Sequence, residues 1–379
     1  MLLTTLYYLF ATYSLKTSPP NPHISQRLEN LTTYHLHLNI QTIPPHTNLT
    51  VNHIHIIKMP PKTIVHLVRH AQGHHNLCAA NHALPDPSLT PLGESQCSAL
   101  RDSFPYHDKI THLVASPMRR TLHTCLLGFQ PAVERLAKGK NGKGVVIALP
   151  EVQEVSNLPC DVGSSPEKLH EEFDPAGALV GLDLVKEGWQ DKESEASPWR
   201  PDMEKLKKRA ERARRWLFEL AQSYPSSSSS GVAAGAAGAN AGAESQADGN
   251  NGEEQEQQEK HIVVVTHGGF LHFLTQDFDG MDLNKGTGWE NTEWRSYELV
   301  AEAKREEEED RNGDREVQVD VRLKETEESW AKRKGDAKPL TETEQLELMA
   351  AVDERLRQEF GDGVRRVGGK REGGERVDV

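Results

Sequence analysis

Short apolar runs alternate with amphipathic stretches through the middle of this chain. Thr63 to Val68 is β-branched and apolar and ends at Arg69-His70, which predicts a buried parallel strand. Thr90 followed by Pro91 has the chemistry of a helix N-cap and first position, so a helix is expected from there to about Ser103. Ile110 to Ala115 predicts a second strand, stopped by Ser116-Pro117. A helix from Met118 to Leu127 and a third strand from Val145 to Leu149 follow. Asp202 should cap a helix that places Leu206, Ala210, Ala213, Leu217 and Leu220 on one face. Ile262 to Thr266 is the most strand-like run of all, and Trp294 to Val300 is expected to be the last strand.

Strands alternating with helices predict a three-layer α/β/α fold with a largely parallel central sheet. The expected body is one domain over residues 59–302. Within it, residues 155–200 lack a clear period and are expected to form an irregular, lid-like insertion. Residues 226–258 are almost wholly Ser, Gly, Ala, Gln and Glu, and are expected to be a disordered loop. Residues 1–58 have no clear period. Met59-Pro-Pro-Lys leads straight into the first strand, so the preceding segment is read as poorly structured and as an artefact of the gene model. Residues 303–379 read as a charged tail. In it Leu346, Met349, Val352, Leu356 and Phe360 make an amphipathic helix, at about 341–360, suited to docking on the body or on a protein partner.

The apolar fraction of 36% is low for a globular chain, in line with those loose segments. A net charge of −13 argues against bulk binding to nucleic acid or an anionic membrane. The Met1–Leu15 apolar run is too short to span a bilayer and lacks a basic leader. The four cysteines are widely spaced, with no Cys-x-x-Cys pair, as expected of reduced thiols. A cytoplasmic or nuclear protein, not a secreted one, is expected.

Ligands of open α/β sheets bind beyond the carboxyl ends of the strands. Three predicted strand ends carry reactive side chains: Arg69-His70, Ser116-Pro-Met-Arg-Arg120 and His267-Gly268. Transfer of a phosphoryl group needs a clamp for its oxygens, a nucleophile and a proton donor. Arginine is a permanently charged fork. Neutral imidazole attacks phosphorus without losing a proton first. A carboxylic acid supplies the leaving-group proton.

Val68-Arg-His-Ala-Gln-Gly-His-His-Asn76 resembles the Arg-His-Gly-Glu-x-x-x-Asn signature of the histidine phosphatase superfamily, the phosphoglycerate mutase-like proteins. Leu89-Thr-Pro-Leu-Gly93 with Gln96, Ser116-Pro-Met-Arg-Arg120-Thr121 and Val263-Val-Val-Thr-His267-Gly268 resemble its further motifs, in the family's order, over roughly residues 62–300. The resemblance implies a phosphoglycerate mutase-like fold. It also implies that His70 takes the phosphoryl group while Arg69, Arg120 and His267 hold its oxygens. Asn76, Gly268 and Gln72 would line the substrate pocket. The acid would follow the third strand: Glu154 fits the spacing best, Glu151 second, also as a pocket residue, and Asp161 third.

The sequence departs from the family in places. Ala71 and Gln72 stand where Gly and Glu are usual. The Glu-Arg-x-Tyr-Gly sequence of glycolytic mutases is absent. Glu154-Val-Ser-Asn-Leu-Pro-Cys-Asp-Val-Gly163 and Gly286-Thr-Gly-Trp-Glu-Asn-Thr-Glu-Trp-Arg295 resemble the fungal phosphoglycerate mutase-like branch. The resemblance therefore implies a metal-independent phosphomonoesterase with a small phosphorylated substrate and no cofactor. The alternatives are a phosphoglycerate-type mutase, and a phosphate-pocket module that recruits a partner through the charged tail. His74 and His75 lack carboxylate companions at ligand spacing, so no metal is expected.

Overall fold

The computed structural model describes residues 62–139, 144–173, 179–223, 259–281, 286–303 and 319–360. The expectations for residues 1–58 and 226–258 lie outside the described residues. The chain divides into two compact units, and every described residue belongs to the larger, residues 61–307 and 318–379.

Seven strands form one sheet: β1 (Thr63–Arg69), β2 (Ile110–Ala115), β3 (Val146–Ala148), β4 (Val180–Gly181), β5 (Lys260–Thr266), β6 (Trp294–Ala303) and β7 (Val319–Glu325). Their order is β4-β3-β2-β5-β1-β6-β7, and only β6 runs against the others. β5 sits between β1 and β2, and all seven of its residues are buried. A strand covered on both faces reads as a continuous apolar run, which is why Ile262 to Thr266 stood out.

Eight helices flank the sheet among the described residues: α1 (Pro91–Ser103), α2 (Arg119–Gly128), α3 (Gln130–Gly139), α4 (Pro166–Phe173), α5 (Met203–Ser223), α6 (Gly268–Thr275), α7 (Glu327–Lys334) and α8 (Glu342–Phe360). Alternate residues of each strand face opposite layers. Val65, Leu67, Ile262 and Val264 pack with Leu206, Leu217 and Phe270 of α5 and α6. Val68, Val263 and Val265 pack with Leu122, Ala132 and Leu169 of α2, α3 and α4. Two cores on opposite faces make the expected three layers. Truncating a fully buried residue such as Leu67 to Ala would cost about 2–5 kcal/mol. At the start of α1, Thr90 Oγ1 accepts the backbone N–H of Gly93 at 3.0 Å. At the start of α5, Asp202 accepts that of Lys205 at 3.0 Å.

Three sequence expectations need correction. Residues 155–200 are not wholly irregular: they hold α4 and the edge strand β4. Residues Trp294–Val300 do not form the last strand, because β7 pairs with β6 over seven residues. The boundary at residue 302 fails for the same reason. Val321, Leu323, Val352 and Leu356 enter the same core as β1 and β5, so residues 319–360 are part of the domain. Alternation at Val319, Val321 and Leu323, masked by charged neighbours, is the signal that a half-buried strand leaves. α8 lies on the body through Val352 and Leu356, and Gln345 bridges to the backbone N–H of Phe278 at 2.8 Å. Among the described residues no helix is long and apolar enough to cross a membrane.

Candidate active site

β1, β5 and β2 are adjacent and parallel, so their carboxyl ends bring His70, His267 and Arg120 to one place. All three are buried, with His70 2% exposed and Arg120 and His267 at 0%. The His70 and His267 ring centroids are 5.2 Å apart.

His70 Nδ1 lies 2.7 Å from the carbonyl oxygen of Ala71. A carbonyl only accepts, so Nδ1 carries the proton and Nε2 presents a lone pair. Arg120 Nε donates to that Nε2 at 3.3 Å. The same guanidinium donates through Nη2 to His267 Nδ1 at 3.1 Å. His267 is then protonated on Nε2, which meets Ser116 Oγ at 2.9 Å. Arg120 is anchored further by the carbonyl of Cys160 at 2.7 Å from Nη1 and the carboxylate of Asp161 at 2.8 Å from Nη2. The fork is thus fixed by contacts with both imidazoles and with the 159–161 turn. Neighbouring Arg119 is turned away and pairs with Glu172 of α4 at 2.6 Å.

The backbone of His70 is tied down from two sides. Ala71 N–H donates to Thr124 Oγ1 of α2 at 3.0 Å. Asn291 Nδ2 donates to the His70 carbonyl at 2.9 Å, and Thr292 N–H to the Arg69 carbonyl at 3.1 Å. Arg69 Nη1 donates to the Trp289 carbonyl, and its buried Nε has no hydrogen-bond partner among the described residues. An incoming oxyanion would complete it.

Glu154 follows β3 after the turn Pro150–Val152. Its carboxylate accepts the backbone N–H groups of Val155 at 2.8 Å, Phe270 at 3.0 Å and Gly269 at 3.2 Å, so it caps α6 beside His267. Burial first, and then the Asp161 carboxylate, raise the Glu154 carboxyl above its ordinary range. For Asp161, burial pulls upward, but Arg120, Lys192 and Ser156 together hold it below the usual range. The acid-bearing loop has cations behind it. Lys192 Nζ donates to the carbonyls of Glu154 at 2.7 Å and Ser156 at 2.8 Å. Arg209 Nη2 donates to the Gln153 carbonyl at 3.0 Å. Burial brings the Lys192 ammonium down to about 7.

Other expected residues lie differently. Gln72 accepts the Thr90 hydroxyl at 2.8 Å, and Asn76 accepts the Gly73 N–H at 3.0 Å, so both side-chain oxygens are engaged in the turn after His70. Glu151 is nearest Arg212, at 3.9 Å, on the α5 side. Gly268 opens α6, and a Cβ there would stand 2.2 Å from Thr287 Oγ1. Sequence reasoning missed Ser116, Lys192 and Arg209 as supports; a buried cation that binds backbone carbonyls leaves no spacing signal. Among the described residues no group of three or more His, Cys, Asp or Glu is arranged to hold a metal ion. A cavity of about 780 Å³ lies elsewhere, lined by residues including His66, Tyr106, His261 and Trp294, and none of the expected site residues from Arg69 to Gly268 lines it.

Comparison with curated proteins returned no match. Among solved structures, the chain is similar to a mycobacterial glucosyl-3-phosphoglycerate phosphatase: 15% identity, 69% of this chain and 96% of that one, TM-score 0.33. A phosphoglycerate mutase from Bacillus anthracis strain Sterne is similar at 16% identity, over 63% and 88%, TM-score 0.34. A phosphoserine phosphatase from Entamoeba histolytica, in complex with 3-phosphoglyceric acid, is similar at 16% identity, over 62% and 90%, TM-score 0.30. The family model of the histidine phosphatase superfamily (branch 1) matches residues 65–238. That match, with the motifs in their order and their convergence at the strand ends, supports membership of this chain in the histidine phosphatase superfamily.

Proposed function

We propose that the protein is a phosphomonoesterase that works through a phosphohistidine on His70. The observation that carries this reading is the tautomer: Nδ1 is engaged by the Ala71 carbonyl, which leaves Nε2 as the unprotonated nitrogen beside Arg120. Burial, and next the Arg120 guanidinium, hold the His70 imidazole well below its usual value, so it stays neutral and nucleophilic.

In the first step Nε2 forms a bond to phosphorus as the ester P–O bond breaks. Arg69, Arg120 and His267 hold the equatorial oxygens, and Glu154, whose carboxyl burial raises above its ordinary range, gives its proton to the leaving oxygen. In the second step water attacks phosphorus and the P–N bond breaks. The proton returns to Glu154, and inorganic phosphate leaves.

Water is favoured as the acceptor because the Glu-Arg-x-Tyr-Gly sequence of glycolytic mutases is absent. In its place residues 154–163 support Arg120 through Cys160 and Asp161. That stretch also supports the finer resemblance to the fungal phosphoglycerate mutase-like branch. The test is a panel of phosphomonoesters assayed for free phosphate, with His70→Ala as control. Release of phosphate that His70→Ala abolishes supports the proposal. Transfer to a sugar-acid acceptor without free phosphate would favour the mutase.

A further inference from the structure

His75 is a buried histidine that the mechanism above does not use. It is 7% exposed, and its ring centroid lies 5.4 Å from that of His70. That is close to the His70–His267 separation of 5.2 Å. Its Nδ1 is buried with no hydrogen-bond partner among the described residues, an arrangement that costs free energy unless something completes it.

The local sequence is built for this ring position. The turn His74–Asn76 is closed by the Asn76 side chain accepting the Gly73 N–H at 3.0 Å. A Cβ on Gly73 would stand 2.8 Å from His75 Nδ1 and Cε1, so any larger residue would push the imidazole aside. His74, by contrast, is only partly buried and gives its backbone, not its ring, to the turn. Burial and the Arg120 guanidinium lower the His75 imidazole to about 3, so at working pH it is neutral and carries one N–H and one lone pair.

We infer that His75 is a third imidazole of the phosphoryl site, donating a hydrogen bond to an oxygen of the bound phosphoryl group or phosphate. This inference rests on the phosphoryl-transfer reading of His70. A neutral imidazole can do this without adding charge to a pocket that already holds Arg69 and Arg120.

The experiment measures inhibition by inorganic phosphate and by orthovanadate in wild type, His75→Ala and His75→Asn. Loss of a hydrogen bond to a charged oxygen should weaken both inhibitors about tenfold or more in His75→Ala. His75→Asn, which keeps an N–H donor, should recover part of that loss. Imidazole ¹⁵N spectra of the wild-type protein are the second measurement, independent of whether a variant folds. Adding phosphate should shift the His75 ring nitrogens. Unchanged inhibition in a folded His75→Ala, or no phosphate-dependent change at the His75 ring, would overturn the inference. If the wild-type protein turns over phosphomonoesters through His70 and His75→Ala binds phosphate normally, this inference alone fails. If His70→Ala retains full turnover, the underlying reading fails instead.

Discussion

Arg120 places its Nε 3.3 Å from Nε2 of His70, the nitrogen left unprotonated by the Ala71 carbonyl. The proposed clamp and the proposed nucleophile are therefore a single hydrogen-bonded unit. A phosphoryl group that reaches one is already beside the other, which is the positioning an in-line displacement needs.

The Arg120–Asp161 pair, 2.8 Å apart with side chains 0% and 11% exposed, holds that unit in place. Asp161→Ala should leave Arg120 without its carboxylate. Removal of one partner from a buried pair costs about 3 kcal/mol or more. Thermal unfolding should record the loss, and KM for any accepted phosphomonoester should rise about tenfold. Asp161→Asn should regain part of the stability. An unchanged KM in a folded Asp161→Ala would remove Asp161 from this role.

The pH dependence follows from two shifts of opposite consequence. Burial and Arg120 push His70 well below its ordinary value, so it remains an unprotonated nucleophile as pH falls. Burial and Asp161 raise the Glu154 carboxyl, so it stays a proton donor further up the scale and is lost as pH rises through its value. The kcat/KM profile should be bell-shaped with its maximum on the acidic side of neutrality. Glu154→Gln should lower kcat/KM, which reports phosphoryl transfer to His70, about 100-fold on alkyl phosphates and much less on p-nitrophenyl phosphate, whose leaving group needs no proton. A wild-type rate still climbing above neutrality would exclude a carboxylic acid donor.

Lys192 carries the Glu154 loop on two carbonyls, at 2.7 and 2.8 Å. Lys192→Met keeps the stem and removes the donor, leaving those buried carbonyls without it, at about 1–3 kcal/mol each. The loss should appear in kcat, through the placement of Glu154, with inhibition by inorganic phosphate nearly unchanged. A variant that loses phosphate affinity while keeping kcat would contradict this division.

Gly93 presses the first turn of α1 onto the residue two past His70: a Cβ there would meet the Gln72 carbonyl oxygen at 2.2 Å. Backbone cannot move aside as a side-chain tip can. Gly93→Ala should therefore destabilise by about 2 kcal/mol or more and lower turnover. Chemical denaturation with a parallel activity assay checks both.

The legible parts of this molecule were those governed by one local rule. β1 and β5 announced themselves as fully buried strands, and Thr90-Pro91 as a helix start. What stayed hidden depends on partners distant in sequence. β4 has only two residues, Val180 and Gly181, too few for any period to show. β7 is half charged because one of its faces meets solvent. Cys160 serves the site through its carbonyl, which any residue type provides. Of His74 and His75, only the fold distinguishes the buried ring from the partly exposed one.

The central claim is a covalent phosphohistidine, and the most direct measurement is rapid quenching of the wild-type protein during turnover of a labelled phosphomonoester, followed by peptide mapping. The account predicts an acid-labile, base-stable label on the peptide containing His70, and none in His70→Ala. Rapid turnover with no label on His70, or full activity in His70→Ala, would contradict it.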